Sequence, residues 1–363
     1  MDRTNAGSDE MDADRGRPDL SYKYKKYVGR KISFIAATSL LLAVIFMYSL
    51  SVGNAPLPIG EIINTLLGRP SDIKYAHTLI WGLRLPRAIA AIVAGVSLSI
   101  SGAVLQSVLR NPLGSPYTLG ISHAAAFGAT LSILAASRGL FGTVFDHTYS
   151  VTISAFAFSL ISTFTLLAIA KYKSASPEVL ILAGVALGSL LTAATMFLQY
   201  FADDTELPEI IFWTFGDLGR ASWQSIQIMA LITAVAMAYF LYNRWNYNAM
   251  DAGDEIAKGL GVHVDRVRLL GMLMASLATA AAVAFLGIIG FVGLVCPHIA
   301  RRFVGDDQRF LIPASGVVGA LLMLAADTAA RIIIAPYVLP VGIITAFMGA
   351  PLFLFLLVRG CKH

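Results

Sequence analysis

The chain has 363 residues, 57% of them hydrophobic and only 13% charged, with two cysteines and a net charge of +5. At a mean hydropathy of +0.71 this composition excludes a soluble globular domain and a disulfide scaffold and points to a multi-span membrane protein. The basic excess lies near the start of the chain, in Arg15, Arg17, Lys23, Lys25, Lys26, Arg30 and Lys31, where it reads as a juxtamembrane patch facing anionic lipid and not as a nucleic-acid site.

Residues 1–32 read as a polar cytoplasmic tail, disordered at its start. No cleaved leader is expected, because the hydrophilic stretch precedes the first apolar run and no small-residue cleavage site follows it. Beyond the tail, charge all but disappears for about 20 residues at a time, the length that crosses a hydrocarbon core of about 30 Å. The blocks are Ser33–Val52, Ala88–Leu109, Gly114–Ala136, Tyr149–Ala170, Val179–Ala202, Ala221–Asn243, Leu269–Ala300, Phe310–Ala330 and Pro340–Val358. The block Leu269–Ala300 is too long for one crossing and contains Gly287, Gly290 and Gly293, so it is expected to form two helices around a tight turn. The prediction is an all-α polytopic protein of ten spans, with a transmembrane domain over 33–358 and a cytoplasmic tail over 359–363.

An even number of spans puts both termini on one side. With the termini in the cytoplasm, most of the 27 Lys and Arg fall in cytoplasmic segments, as the positive-inside rule requires. A single crossing by Leu269–Ala300 would instead export Arg301, Arg302 and Arg309. The acidic loop Asp203–Glu209 then lies outside.

One polar segment of mixed charge, 251–268, interrupts the apolar blocks on the cytoplasmic side. Asp254 is expected to cap a short helix there, Glu255 and Lys258 stand one turn apart, Ile256 and Leu260 share a face, and Gly259 and Gly261 supply the stop. A second cap, Asp265, is expected to open the next helix. The segment reads as a surface that a soluble partner grips.

Small residues mark the spans: Ala94 and Gly95, Gly102, Ala124 to Ala126 with Gly128, Gly184 and Gly188, Gly316 and Gly319, Gly349 and Ala350. They predict close helix packing. Ionisable groups near mid-depth are scarce: Asp327, with His123 and His298. Asp327 precedes Arg331 by one turn and is expected to pair with it, and the scarcity argues against proton coupling. His123 reads as a satisfied buried histidine. Cys296 and His298 lack further ligands, so no metal site is expected, and Cys296 and Cys361 are not expected to pair. The chain holds no nucleophile elbow, paired-His metal motif or Gly-x-x-x-x-Gly-Lys-Ser/Thr phosphate loop. No catalytic site is expected, and any ATP that drives the protein must be bound by another chain.

The run Leu83–Gln106, beginning Leu-Arg-Leu-Pro-Arg, continues into Asn111–Ser122 and resembles the permease subunits of ABC importers for iron-siderophores, haem and cobalamin. Three further strings agree in order: Leu182–Gly188, Gly290–His298 and Leu339–Pro351. The resemblance spans about Ser33 to Arg359 and implies the type II ABC importer permease fold. It implies two permease copies, a homodimer, in the cell membrane, two ABC ATPase subunits carrying ATP and Mg, and an extracytoplasmic substrate-binding protein. No cofactor is implied for this chain itself.

The resemblance also assigns residues. Gly253, Glu255, Ala257, Leu260, Gly261 and Val262 match the loop that couples to the ATPase. Arg84, Arg87 and Arg331 match arginines that dock the binding protein. Asn111 and Leu113, with Ser176 and Pro177 opposite, match the cytoplasmic gate. Pro177 replaces a small polar residue of the cobalamin permeases, and Ala124 stands where glycine is common. The competing expectation is an ion-coupled secondary transporter of a small solute; a membrane scaffold is third.

Overall fold

The computed structural model describes residues 20–53, 55–139, 147–173 and 176–360. Arg15, Arg17 and Cys361 lie outside the described residues. Among the described residues fourteen α-helices follow one another: α1 (Leu20–Ser51), α2 (Ile59–Leu66), α3 (Leu85–Val108), α4 (Ile121–Ser137), α5 (His147–Lys173), α6 (Pro177–Tyr200), α7 (Glu206–Thr214), α8 (Trp223–Tyr242), α9 (Arg244–Asp251), α10 (Asp254–Gly259), α11 (Val264–Leu286), α12 (Val292–Val304), α13 (Gln308–Ile332) and α14 (Val341–Gly360). A π-helical segment, Thr78–Arg84, leads directly into α3. Among the described residues there is no strand, as an apolar medium without water for the backbone demands of an open chain.

Among the described residues seven helices are long and apolar enough to cross a membrane, and α4 and Val341–Phe355 of α14 are shorter apolar helices. The remaining crossing is the second half of Leu269–Ala300. Here the structure corrects the expected tight turn. Ala278 of α11 accepts a hydrogen bond from Ser97 of α3 (2.9 Å), so Leu286, two turns on, lies well past mid-α3. Gly293, however, is back against Leu98 and Gly102. Between them the non-helical stretch 287–291 retreats roughly 12 Å, the rise of about eight helical residues. Half of this crossing is therefore irregular backbone and half is the 13-residue helix α12.

Helix α3 is the axis of the bundle, buried along most of its length. Its glycines set the packing. A Cβ on Gly95 would overlap the carbonyl of Gly319 in α13, and one on Gly102 would overlap that of Gly293 in α12. Buried hydroxyls join neighbouring helices across these contacts, Ser99 Oγ donating to Ser315 O at 2.5 Å. In lipid, such close approach and inter-helix hydrogen bonding replace the hydrophobic drive that packs helices in water.

The two ends of α3 define the two ends of the molecule. The near end carries the start of α1, the segment 243–268 and the α12–α13 turn; the far end carries Arg84, Arg87 and Asp327. Helix α1 begins at Leu20, so residues 20–32 of the predicted tail are helical. Lys31 does not face lipid: it is 2% exposed, its Nζ lying 4.1 Å from the Tyr27 ring centre and 4.9 Å from that of Phe310. Likewise the acidic loop is partly helical, with Asp203 Oδ1 accepting the backbone N–H groups of Thr205 and Glu206 at the start of α7. Those donors hold the Asp203 carboxyl below its ordinary range.

Candidate functional site: a cavity between two polar ends

At mid-depth a cavity of about 710 Å³ opens beside the irregular stretch, lined by Ile288–Phe291, by Ser115–Thr118 from the loop after α3, and by Gly342 and Phe347 of α14. Non-helical backbone at this depth is tolerated where it is enclosed by protein or lines a water-accessible space. Both conditions operate here. A Cβ on Gly342 would overlap the Phe215 carbonyl, and one on Gly216 that of Ile288, so glycine backbones press against one side of the stretch while the other faces the cavity. Phe291 is held in the left-handed region at φ 65, with its ring base against Gly349. His123 packs at a tilt against Tyr117 with centroids 4.6 Å apart, but its Nδ1 is buried without a hydrogen-bond partner among the described residues, so it is not the satisfied histidine expected. Cys296 is wholly buried, and His298 meets Phe353 edge-on.

At the near end, α10 occupies Asp254–Gly259, within the polar segment. Two capping expectations are corrected. Gly253, at φ 129, is the N-cap of α10 with no side-chain cap, and His263 stands at the N-cap of α11 while Asp265 lies inside its first turn. Asp254 is drawn away instead, accepting from Arg268 Nη2 at 2.7 Å. Gly261, at φ 83, does supply the stop. Ala257 is buried, whereas Ile256 and Leu260 present an apolar face, 55% and 70% exposed. The short helix is anchored on one side and leaves greasy surface on the other.

Polar ties that sequence reasoning missed hold this segment to the bundle. Asp251, the last residue of α9, accepts from Ser107 Oγ of α3 (2.7 Å) and from Gln308 Nε2 of α13 (2.8 Å). Burial pushes its carboxyl above the ordinary range, against the effect of these two donors. Gln308 N also donates to Asn248 Oδ1 at 2.8 Å. The accessible signal was the pair of acids at the head of the polar segment, Asp251 and Asp254.

The predicted gate residues lie at the same end. After α3 the chain passes through Arg110 at φ 45, and Asn111 Oδ1 accepts the Leu113 N–H at 2.8 Å. Ser176 and Pro177 start α6, where Glu178 is within charge-coupling range of Arg110 and Arg268.

At the far end the three arginines are turned into the protein. Arg84 is 6% exposed and donates to the carbonyls of Leu50 (2.6 Å), Ser51 (3.2 Å) and Ala55 where α1 ends. Arg87 Nε donates to Asp327 Oδ1 at 2.6 Å, with Asp217 at 3.5 Å. Arg331 pairs with Asp327 Oδ2 at 3.2 Å, as its spacing predicted, and donates to Ser49 O at 3.0 Å. One wholly buried carboxylate thus serves two guanidinium groups.

Comparison with known proteins agrees with this architecture. A family model described as the FecCD transport family matches residues 41–359. A protein of Methanocaldococcus jannaschii named as an ABC transporter permease is 52% identical over 349 residues, 95% of this chain and 99% of its own length. The hemin transport system permease of Yersinia pestis is 35% identical, covering 88% and 93% of the two chains. The cobalamin import system permease of Halobacterium salinarum is 36% identical, covering 90% and 96%. Among solved structures, a metal-chelate type ABC transporter in an inward-facing conformation superposes with a TM-score of 0.79 at 31% identity, over 90% of this chain and 99% of that one.

Proposed function

This chain belongs to the FecCD transport family, and from that premise we propose that it is the membrane permease of an ABC importer that carries a bulky metal chelate into the cytoplasm. The cargo class is a ferric siderophore, cobalamin or haem. The near end faces the cytoplasm, where ATP and Mg are held by two separate ATPase subunits. A second copy completes the pathway. Its interface includes the exposed apolar faces of α6 and α14, which carry Leu182, Leu190, Phe197 and Phe347.

The observation that carries the reading is the short helix α10. It is tied to α3 through Arg268, and the preceding Asp251 of α9 ties the same segment to α3 and α13, yet it displays Ile256 and Leu260 outward. A partner that binds Gly253, Glu255, Leu260, Gly261 and Val262 can push the bundle through those ties, while Ala257 fixes the inner face. Coupling by rigid-body displacement needs such an element. The gate that receives the push is Asn111 and Leu113 with Ser176 and Pro177.

Docking of the binding protein uses Arg84, Arg87 and Arg331. Guanidinium groups grip carboxylates bidentately, and in this chain the incoming carboxylates compete with the α1 carbonyls and with Asp327. The commitment of Asp327 to two arginines also favours ATP drive over ion coupling, since a proton carrier must give up its charge partners on every cycle.

Reconstituted uptake tests the proposal. Chelate import into vesicles holding this chain and its ATPase is expected to require ATP and the binding protein. Import that follows an ion gradient without either would overturn it in favour of a secondary transporter.

A further inference from the structure

Resting on the reading of 251–268 as the coupling segment, we propose that Arg268 is the positioning residue that carries displacement of α10 to the gate loop.

A helix ends with four carbonyls that lack intrahelical donors. In α3, those of Leu105, Gln106 and Ser107 accept from the N–H groups of Leu109, Asn111 and Arg110, all at 3.0 Å. Val108 O is taken by Arg268, whose Nε donates to it at 2.9 Å. The other limb of the same guanidinium, Nη2, donates to Asp254 Oδ2 at 2.7 Å. One planar group therefore caps the C-terminus of α3 and grips the first residue of α10. Asp265 stands 3.9 Å from Nη1, and Glu178 at the start of α6 feels the same charge.

Position makes this contact more than a cap. Val108 is three residues from Asn111, so a shift of the helix end passes into the gate loop with little chain to absorb it. Arg110, in the left-handed conformation between them, gives a non-glycine residue only a small alternative well. The Arg268 side chain is 7% exposed. Burying a guanidinium carries a desolvation penalty that an apolar contact between the same helix ends would avoid. What the guanidinium adds is direction: a planar fork holds two partners in one fixed geometry, which an ammonium cannot do. Asp251, Ser107 and Gln308 form a second tie one turn away, linking the same segment to α13 but not to the terminal carbonyl.

The test uses vesicles containing the chain with its ATPase, Cys361→Ser, and a single reporter, Lys258→Cys on α10 or Leu113→Cys in the gate loop. Cys296 is buried and stays. Maleimide alkylation is timed with and without MgATP. In the parent, ATP changes both rates. In Arg268→Ala the response at position 258 stays and that at 113 shrinks by about fivefold or more, the scale of a typical coupling between sites. Arg268→Lys restores it in part. A full response at 113 in Arg268→Ala, with 258 also responding, overturns the tie. No response at 258 in the parent overturns the coupling reading, and the tie with it. Should Arg268→Ala fail to fold, Asp254→Asn decides: it breaks the α10 limb alone and is expected to reduce the response at 113 selectively, whereas an undiminished response overturns the proposal.

Discussion

The two ends of α3 are both held by arginine, and they are held differently. At the far end Arg87, Asp327 and Arg331 join α3 to α13, and Arg84 fastens α3 to the end of α1. The partners there belong to spanning helices or to the segments that join them inside the bundle, Asp217 and Ala55 among the latter. At the near end Arg268 and Asp251 join α3 to α9 and α10, short helices with an exposed apolar face. The same chemistry makes a clamp where its partners are all part of the bundle and a linkage where one partner is open to a second protein.

The sharpest way to break this contrast is at Asp327. Asp327→Ala leaves two guanidinium groups buried without a counter-charge and is expected to destabilise the fold by about 3–5 kcal/mol, read as a fall in thermal stability of the detergent-solubilised chain. A loss no larger than that for Asp254→Ala would remove the distinction between the ends. Next, Gly102→Leu forces the α3–α12 contact apart and is expected to cost about 1–3 kcal/mol or more. Its measure is the same melting experiment, beside Gly259→Ala in α10, where an added Cβ meets nothing within 4 Å.

Smaller effects separate function from fold. Arg331→Ala is expected to weaken binding-protein affinity about tenfold, or about 1.4 kcal/mol, in a titration of the purified complex; unchanged affinity assigns Arg331 to the clamp alone. Gly261→Leu strains a backbone at φ 83 by about 1–2 kcal/mol and places bulk on the coupling surface. ATP hydrolysed per chelate imported is expected to rise, and an unchanged ratio would detach Gly261 from coupling. The smallest effect is pH-dependent. Burial acts to raise the Asp307 carboxyl, but hydrogen bonds from Arg309 and Asn248 outweigh it and hold it below the ordinary range. Its contribution is therefore present above the unfolded value and lost as pH falls through the lower folded one. Hydrogen exchange at the α12–α13 turn is expected to quicken in that acid window, and not in Asp307→Asn.

Much of this was legible in the chain. Charge-free blocks located the crossings because lipid penalises an exposed charge at every depth, and the spacing of Asp327 and Arg331 announced their pair because residues four apart share a helix face. The errors are equally physical. Asp254 has the right type for a cap, but an arginine fourteen residues on offers a charged partner, and Gly253 takes the cap position. Glycines marked the break after Leu286, yet its length depends on where Gly216 and Gly342 press against it. Nothing in the Leu-Arg-Leu-Pro-Arg string tells whether its arginines point outward or into neighbouring carbonyls.

By itself, then, the sequence determined an all-helical, many-span bundle and the place of its polar segment, because hydropathy and helix periodicity act over one or two turns and need no knowledge of distant neighbours. Only the tertiary structure decided which polar groups meet. Ser107 finds Asp251 across 144 residues and Arg87 finds Asp327 across 240. A buried charge takes whichever partner the packing brings within reach, and that packing is set by glycine contacts between helices far apart in the chain.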